Sequence, residues 1–438
     1  KLYICTVKRL IYFFFISITF YNCENEIDIN SEWEEIPIIY AILDGGAKDD
    51  CNGNGILDQN DNLPCNDQYI RIQKSFLGEF PANQMAQESD SIYYSPNDVL
   101  VWVEETCAND LDGFNEAISF LDEYATNEDL QTIYDVYNFL TDTIAVEFVQ
   151  SNEKPDDGYF SSENHYYFKF SNPLKLYENG DSGSKCQYKV VFQNPSSGKR
   201  TSGIVQIIKP IDTKIPTSLS GSRHGVLKEI PDHVANDSPI SGLKIRPSKN
   251  GKLYKFFLRF NYVEVDISTG EEKSLYVDWN FSPITATESQ YTSGGTWVDL
   301  DFRPFDFFSF LASSIPENDN VYRYPKGIYF DNGTTPHGQI DPAVYFPCLE
   351  FHFEVLDLDL FNYLNSQLPS GLTQSRPLYS NIDNGFGLIA SISKESIVDV
   401  KMSRTTNNNI ATNILTKKLN FRCFDGINDI SNLGYDCQ

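Results

Sequence analysis

Oxygen-bearing side chains recur at Asp50, Asn52, Asn54, Asp58 and Asp61, with Gly55 between them and Ile56 directly after it. Numbered from Asp50, these are positions 1, 3, 5, 9 and 12 of a calcium loop, with glycine at 6. Calcium takes six to eight hard oxygen ligands around a tight curve. Asp50, Asn52 and Asn54 can supply side chains, Ile56 its backbone carbonyl, and Asp58 a direct or water-borne ligand, while Gly55 permits the sharp turn. With three carboxylates among the side-chain ligands, the expected affinity is weak, on the order of 10⁻⁴ to 10⁻³ M. The expected role is structural. The same composition also suits an Asn/Gly/Asp-rich hairpin turn with no ion.

The register is that of an EF-hand loop, but Asp61 stands where Glu is usual, and in this the segment resembles the shorter calcium loops of dockerin and related extracellular modules. No flanking helices are expected; the loop joins two strands, and Cys51 and Cys65 can close it with a disulfide. Cys423 and Cys437 enclose a similar short segment. A local bridge of this length is worth about 3 kcal/mol in the chain-entropy model. Beyond Cys5 and Cys23 seven cysteines remain, so at least one thiol is left over, and Cys107, Cys186 and Cys348 have no partner assignable from spacing. Without a CxxC or a Cys/His cluster, zinc and thiol redox chemistry are not expected.

Other chemistry is thin. Gly180-Asp181-Ser182-Gly183 resembles the nucleophile segment of trypsin-like proteases, but no histidine has that family's surroundings, and a polar turn before the next strand is the expected reading. His165, His224, His233, His337 and His352 are scattered singly, and His165 and His352 sit in strand-like runs as core or surface residues. Glu104-Glu105 and the pair Asp357 and Asp359 could serve a glycosidase, yet in a chain with 61 acidic residues such neighbours are expected by chance on solvated faces. With 34 basic residues the net charge is −27, which excludes a protein that coats nucleic acid.

At the front, Lys8 and Arg9 precede an apolar run from Leu10 to Tyr21, too short to span a bilayer and suited to a signal peptide, residues 1–22. The run ends at Phe20-Tyr21-Asn22-Cys23, so Cys23 is the candidate lipid anchor and residues 23–35 the tether. An ordinary signal peptide with an incidental cysteine remains the alternative. Cysteines in an oxidising compartment agree with export.

The elements that must hold these residues read as strands. At 41% hydrophobic and 14% aromatic residues the chain can bury large cores. Ile36–Leu43, Gln68–Lys74, Val99–Glu104, Thr143–Val149, His165–Phe170 and Cys186–Phe192 are short, β-branched and aromatic, and punctuated by Gly, Asn, Pro and Asp. Asn194–Arg200 reads as a hairpin turn whose second arm is Gly203–Lys209. Leu111–Leu140 repeats apolar residues at helical spacing and predicts an inserted helical pair. Pro210–Pro239 lacks periodicity and is the linker candidate. Strands resume at Leu253–Val265, Lys273–Asn280, Gly327–Phe330 and Leu349–Leu356, with short helices over Asp306–Ser313 and Asp357–Leu368, each capped by its Asp.

The expected fold is mainly β: tandem Ig-like β-sandwich domains with short helical insertions. The expected division is a sandwich over 36–210 carrying the calcium loop (49–65) and the helical insertion (111–140), a linker over 211–239, and a β-rich domain over 240–438.

Several segments resemble a large family of uncharacterised Bacteroidota outer-membrane lipoproteins, the domain of unknown function forty-two forty-nine. Trp33–Leu43 (WEEIPIIYAIL), Gln68–Gly78 (QYIRIQKSFLG) and Ala82–Ala86 (ANQMA) resemble its opening; Arg376–Leu388 (RPLYSNIDNGFGL) resembles its closing motif, an Asn-and-Gly turn before the last core strand. The resemblance spans most of residues 33–400. It implies an outer-membrane or cell-surface lipoprotein beside a TonB-dependent receptor, and brings no activity and no catalytic residues. The calcium loop sits outside it, as an insertion.

The expected function is therefore an exported binding or assembly module and not an enzyme, with Ca2+ as its structural ion. A calcium-stiffened adhesion protein is the alternative, and a polymer hydrolase would need titratable groups converging in a cleft.

Overall fold

In the computed structural model the residues described are 36–45, 67–75, 92–121, 125–151, 165–171, 174, 186–209, 211–214, 244–300, 303–326, 345–367 and 379–423. The expected signal segment, the candidate anchor Cys23, the candidate calcium loop with Asp50, Asn52, Asn54, Ile56, Asp58 and Asp61, the bridge candidates Cys51, Cys65 and Cys437, the turn expected at Gly180–Gly183, residues 215–239 of the expected linker and the strand expected at Gly327–Phe330 lie outside them.

Period-two burial makes the first strands. In β1 (Pro37–Asp44) Ile39, Ala41 and Leu43 point into one core, and in β2 (Gln68–Lys74) Ile70 and Ile72 do, while alternate residues lie on the opposite face of the sheet, where Tyr40 is half-buried against Leu360 and Leu388. There follow β3 (Leu100–Cys107), α1 (Leu111–Ser119), α2 (Asn127–Tyr137), β4 (Leu140–Ala145), β5 (Glu147–Ser151), β6 (His165–Phe170), β7 (Cys186–Asn194), β8 (Lys199–Gln206) and β9 (Asp212–Lys214). Later elements are β10 (Lys244–Arg246), β11 (Leu253–Asp266), β12 (Glu272–Asn280), β13 (Ile284–Thr285), α3 (Glu288–Ser293), β14 (Val298–Asp299), α4 (Pro304–Ser314), β15 (Val321–Pro325), β16 (Tyr345–Leu356), α5 (Leu358–Ser366), β17 (Phe386–Ser403) and α6 (Arg404–Thr412).

The fold is mainly β and sandwich-like, as expected. Among the described residues one ten-stranded sheet runs β12-β11-β16-β17-β1-β2-β6-β5, with β13 and β15 also on β11; a second runs β4-β3-β7-β8, and a small third β14-β10-β9. One core lies between the β1, β2 and β6 face of the large sheet and the β3-β7-β8 layer, around Ile39, Ile70, Val103, Val190, Phe192 and Val205. The other lies between the inward face of β11 and β16 and helices α4 and α6, around Leu258, Phe260, Phe307, Leu311, Phe353 and Ile410. The long strand β17 serves both, since it pairs antiparallel with β16 and parallel with β1.

Local chemistry explains several boundaries. The helical pair is capped as its sequence requires: Asp110 accepts from Gly113 N–H, and Thr126 with Asp129 forms a capping box. The expected strand Thr143–Val149 is in fact two, because the chain changes layers at Val146: β4 pairs with β3, and β5 with β6. The second hairpin arm starts earlier than expected, at Lys199, since Asn194 Oδ1 accepts from Ser196 and Ser197 N–H and Gly198 takes φ 71°, closing the turn in four residues. Asp306 does not cap α4; Arg303 occupies that place without a side-chain bond and Pro304 opens the helix. Asp357 does cap α5. Asp212–Lys214, in the span expected as linker, forms a strand against β10.

Cys107 and Cys186, opposite each other on β3 and β7, form a disulfide. Cys423 is also disulfide-bonded. Cys348 is free and fully buried, and burial pushes its thiol far above the ordinary range, so it is inert packing. No described helix is long and apolar enough to cross a membrane.

Residues 379–388 fold as a turn held from both sides. Asn381 exchanges two hydrogen bonds with the Ile389 backbone (2.7 and 3.0 Å), Ser202 and Asp383 exchange backbone bonds, and Asn384 takes a left-handed φ of 56° before β17.

Candidate functional site

The outward positions of β16 alternate Glu350, His352 and Glu354, and sheet register brings partners to each. His352 lies opposite Ser396 of β17 on one side and Phe257 of β11 on the other. Its Nδ1 is 2.7 Å from Ser396 Oγ, its Nε2 is 2.9 Å from Glu350 Oε2, and its ring stacks on Phe257 at 4.5 Å. A carboxylate can only accept, so Nε2 carries the proton and Nδ1 accepts from the serine hydroxyl. Asn261 Nδ2 donates to the other oxygen of Glu350 at 2.8 Å.

One row along, Arg259 donates two bonds to Asp278, at 2.7 and 2.9 Å, and its guanidinium sits 4.1 Å from the Tyr276 ring centre and 5.6 Å from that of Phe257. Asp278 holds the guanidinium further above its already high ordinary value. The result is a strip, Tyr276, Arg259, Phe257, His352, crossing β12, β11 and β16. Tyr276 is 58% exposed.

Serine, histidine and glutamate in sequence are the parts of a nucleophilic relay. Ser396, however, is exposed on a sheet face, whereas acyl transfer needs enclosure and N–H donors converging on the nascent oxyanion. What the strip offers is a rigid, amphipathic face of Tyr, Arg and Phe, the side chains that anchor protein interfaces.

A second feature is a cleft of about 470 Å³ between α1, the β7–β8 hairpin, the turn before β11 and the start of α5. Asp357 stands at its base, 5% exposed. Its two oxygens accept from Leu360 N–H (2.8 Å) and Ser391 N–H (2.6 Å), so it clamps α5 to β17. Burial nonetheless outweighs these amides and raises its pKa to about 7. Tyr291, in the same cleft, is pushed up to about 12 by burial first and by Asp357 and Asp359 next. Asp359 accepts from the Tyr379 hydroxyl, and Lys249 pairs with Asp112 at the rim.

The Asp357 shift has a sign that can be tested. Between about pH 4 and 7 the folded state keeps a proton that the unfolded chain has released, so this contribution is fully present below pH 4 and is lost as pH rises through 7. Urea unfolding at steps from pH 4.5 to 8 should show the stability of wild type relative to Asp357→Asn falling by a few kcal/mol, on the order of 2 to 4. Parallel curves for the two proteins would refute it.

Several expectations change here. Glu104 and Glu105, expected as chance neighbours on solvated faces, point opposite ways along the strand, and Glu105 is buried and accepts from Tyr188 Oη at 2.7 Å, while Glu104 accepts from Trp102 Nε1 and Arg200. Nor is Asp357 on a solvated face. His165 bonds Tyr93 Oη at 2.8 Å, and Arg71 donates to the same oxygen at 2.7 Å. His352 was expected only as a strand residue, and Arg259, Asn261, Tyr276 and Ser396 carried no local signal. Their association comes from register across three strand pairs. Among the described residues no group of three His, Cys, Asp or Glu could hold a metal.

No protein-family model matches the chain, and no curated protein matches it.

Proposed function

We propose that the chain is an exported, lipid-anchored cell-envelope protein, acting as a binding and assembly module alongside a TonB-dependent receptor, with a calcium loop stiffening one hairpin. The observation that carries this reading is the strip Tyr276, Arg259, Phe257, His352 on the outward face of the large sheet. Its side chains are held by stacking and by the Asp278 pair before any partner arrives, which lowers the ordering cost of association. The disulfide between Cys107 and Cys186 supports an oxidising compartment.

The test is affinity purification from envelope extract of the tagged protein and of Arg259→Ala/Tyr276→Ala, with mass spectrometry of what is retained. The wild type is expected to retain a TonB-dependent receptor, and the double variant, equally folded, to lose it by about thirtyfold, the effect of removing about 2 kcal/mol of interface hot spot. Equal retention by both, or no receptor with either, would overturn the reading. In parallel, calcium should raise the melting temperature of the wild type and not of Asp50→Ala/Asp61→Ala; no rise in either would reduce residues 50–61 to a closed turn.

A further inference from the structure

The cleft above the Asp357 clamp is lined by two amide pairs. Asn115 of α1 and Gln187 of β7 exchange bonds of 3.1 and 3.4 Å, and Asn250 Nδ2 donates to Gln206 Oε1 of β8 at 2.9 Å. Each primary amide has two donors and two acceptor lone pairs, so these pairs are oriented by their internal bonds while keeping further donors and acceptors for a guest. Asn250 is fixed in turn: its φ is 66°, its N–H donates to Tyr291 O at 2.9 Å, and Tyr254 Oη ties Ser248 of the same turn. Beside the amides, Ile204 is 45% exposed and gives an apolar surface.

Charge then selects the guest. Asp112 is neutralised by Lys249, and Asp357 is occupied by two backbone amides, so little free carboxylate is left to attract a cation. Asp359 accepts from the Tyr379 hydroxyl, and no lysine or arginine stands among the described residues lining the cleft, so an anion finds no counter-charge there. The volume of about 470 Å³ lies within the range of small-molecule sites, about 300 to 1,000 Å³. A neutral molecule with many alternating donors and acceptors and one apolar C–H face meets all of these conditions.

We propose that this cleft binds a neutral saccharide, its hydroxyls bridging the Asn115–Gln187 and Gln206–Asn250 pairs and its C–H face resting on Ile204. The inference rests on the chain being a binding module, but it uses different residues from the strip.

The test is calorimetric titration of the full chain with cellohexaose, xylohexaose, mannohexaose and maltohexaose, and with spermine as a cationic comparison. At least one hexasaccharide is expected to bind saturably. Gln206→Ala and Asn115→Ala, both on regular elements and both checked by melting, should each weaken it about tenfold or more, and Arg259→Ala/Tyr276→Ala should leave it unchanged. Binding of no hexasaccharide, binding untouched by the cleft variants, or tighter binding of spermine would each overturn the proposal. If the receptor is still captured in any of those cases, the saccharide site falls and the module reading stands; if neither ligand is held, both fall.

Discussion

Gly387→Ala is expected to cost about 4 kcal/mol or more and to separate the two halves of the large sheet, an effect at the far end of what single substitutions do. Gly387 sits in β17 at φ 120°, opposite Ile39 in the parallel pairing with β1. A Cβ there would lie 1.9 Å from the Ile39 carbonyl oxygen and 2.7 Å from its carbon. Both are backbone atoms, so no rotamer change relieves the contact. Only withdrawal of β1 does, which breaks ladder hydrogen bonds worth about 1 kcal/mol each and loosens the packing of Ile39 and Ile389, both fully buried. Gly270 is the control: its φ is 70°, but nothing lies within 4 Å of an added Cβ. Gly270→Ala carries the conformational cost alone, about 1 kcal/mol. Urea unfolding of both variants separates the terms, and similar losses for the two would mean that the close approach of the strands is not what glycine serves.

Cys107→Ala/Cys186→Ala should lower stability by about 4.5 kcal/mol, the chain-entropy value for a loop of this size. The bridge joins residues 79 apart and encloses α1, α2 and β4 to β6, so the unfolded chain without it gains a large freedom. Register already sets the two cysteines opposite each other on β3 and β7, so the folded state should change little. The measurement is equilibrium urea denaturation of wild type and double variant, with the other cysteines left in place. A loss below about 1 kcal/mol would place the entropy elsewhere, in a denatured state that is compact without the bridge.

Much of the fold could be read before any coordinates. Gln68–Lys74 and His165–Phe170 are strands over the residues that β-branched and aromatic composition marks, the helical pair lies within Leu111–Leu140, and Asp357 caps the helix it was expected to cap. These features depend on neighbours a few positions away. The layer change at Val146 does not: residues on both sides have equal strand character, and only their partners differ. The strip is illegible for the same reason. Asn261 is 89 positions from Glu350, and His352 is 44 from Ser396. Each is an ordinary outward strand residue until pairing sets it beside the others. The cleft amides come from α1, β7, β8 and the turn before β11, so no window of sequence contains them.

The parallel pairing of β1 with β17 also sets a timetable. Ile38 leaves the ribosome long before Phe386, its partner. At about 5 to 20 residues per second, β1 must wait on the order of tens of seconds for that partner to be made. Through that interval one edge of β1 is bare, its ladder N–H and C=O groups without their native partners, and a bare edge is a template for whatever strand arrives first. Slowing synthesis of the last third of the chain therefore lengthens the period of risk without altering any native contact, and the yield of correctly closed sheet becomes a matter of rate.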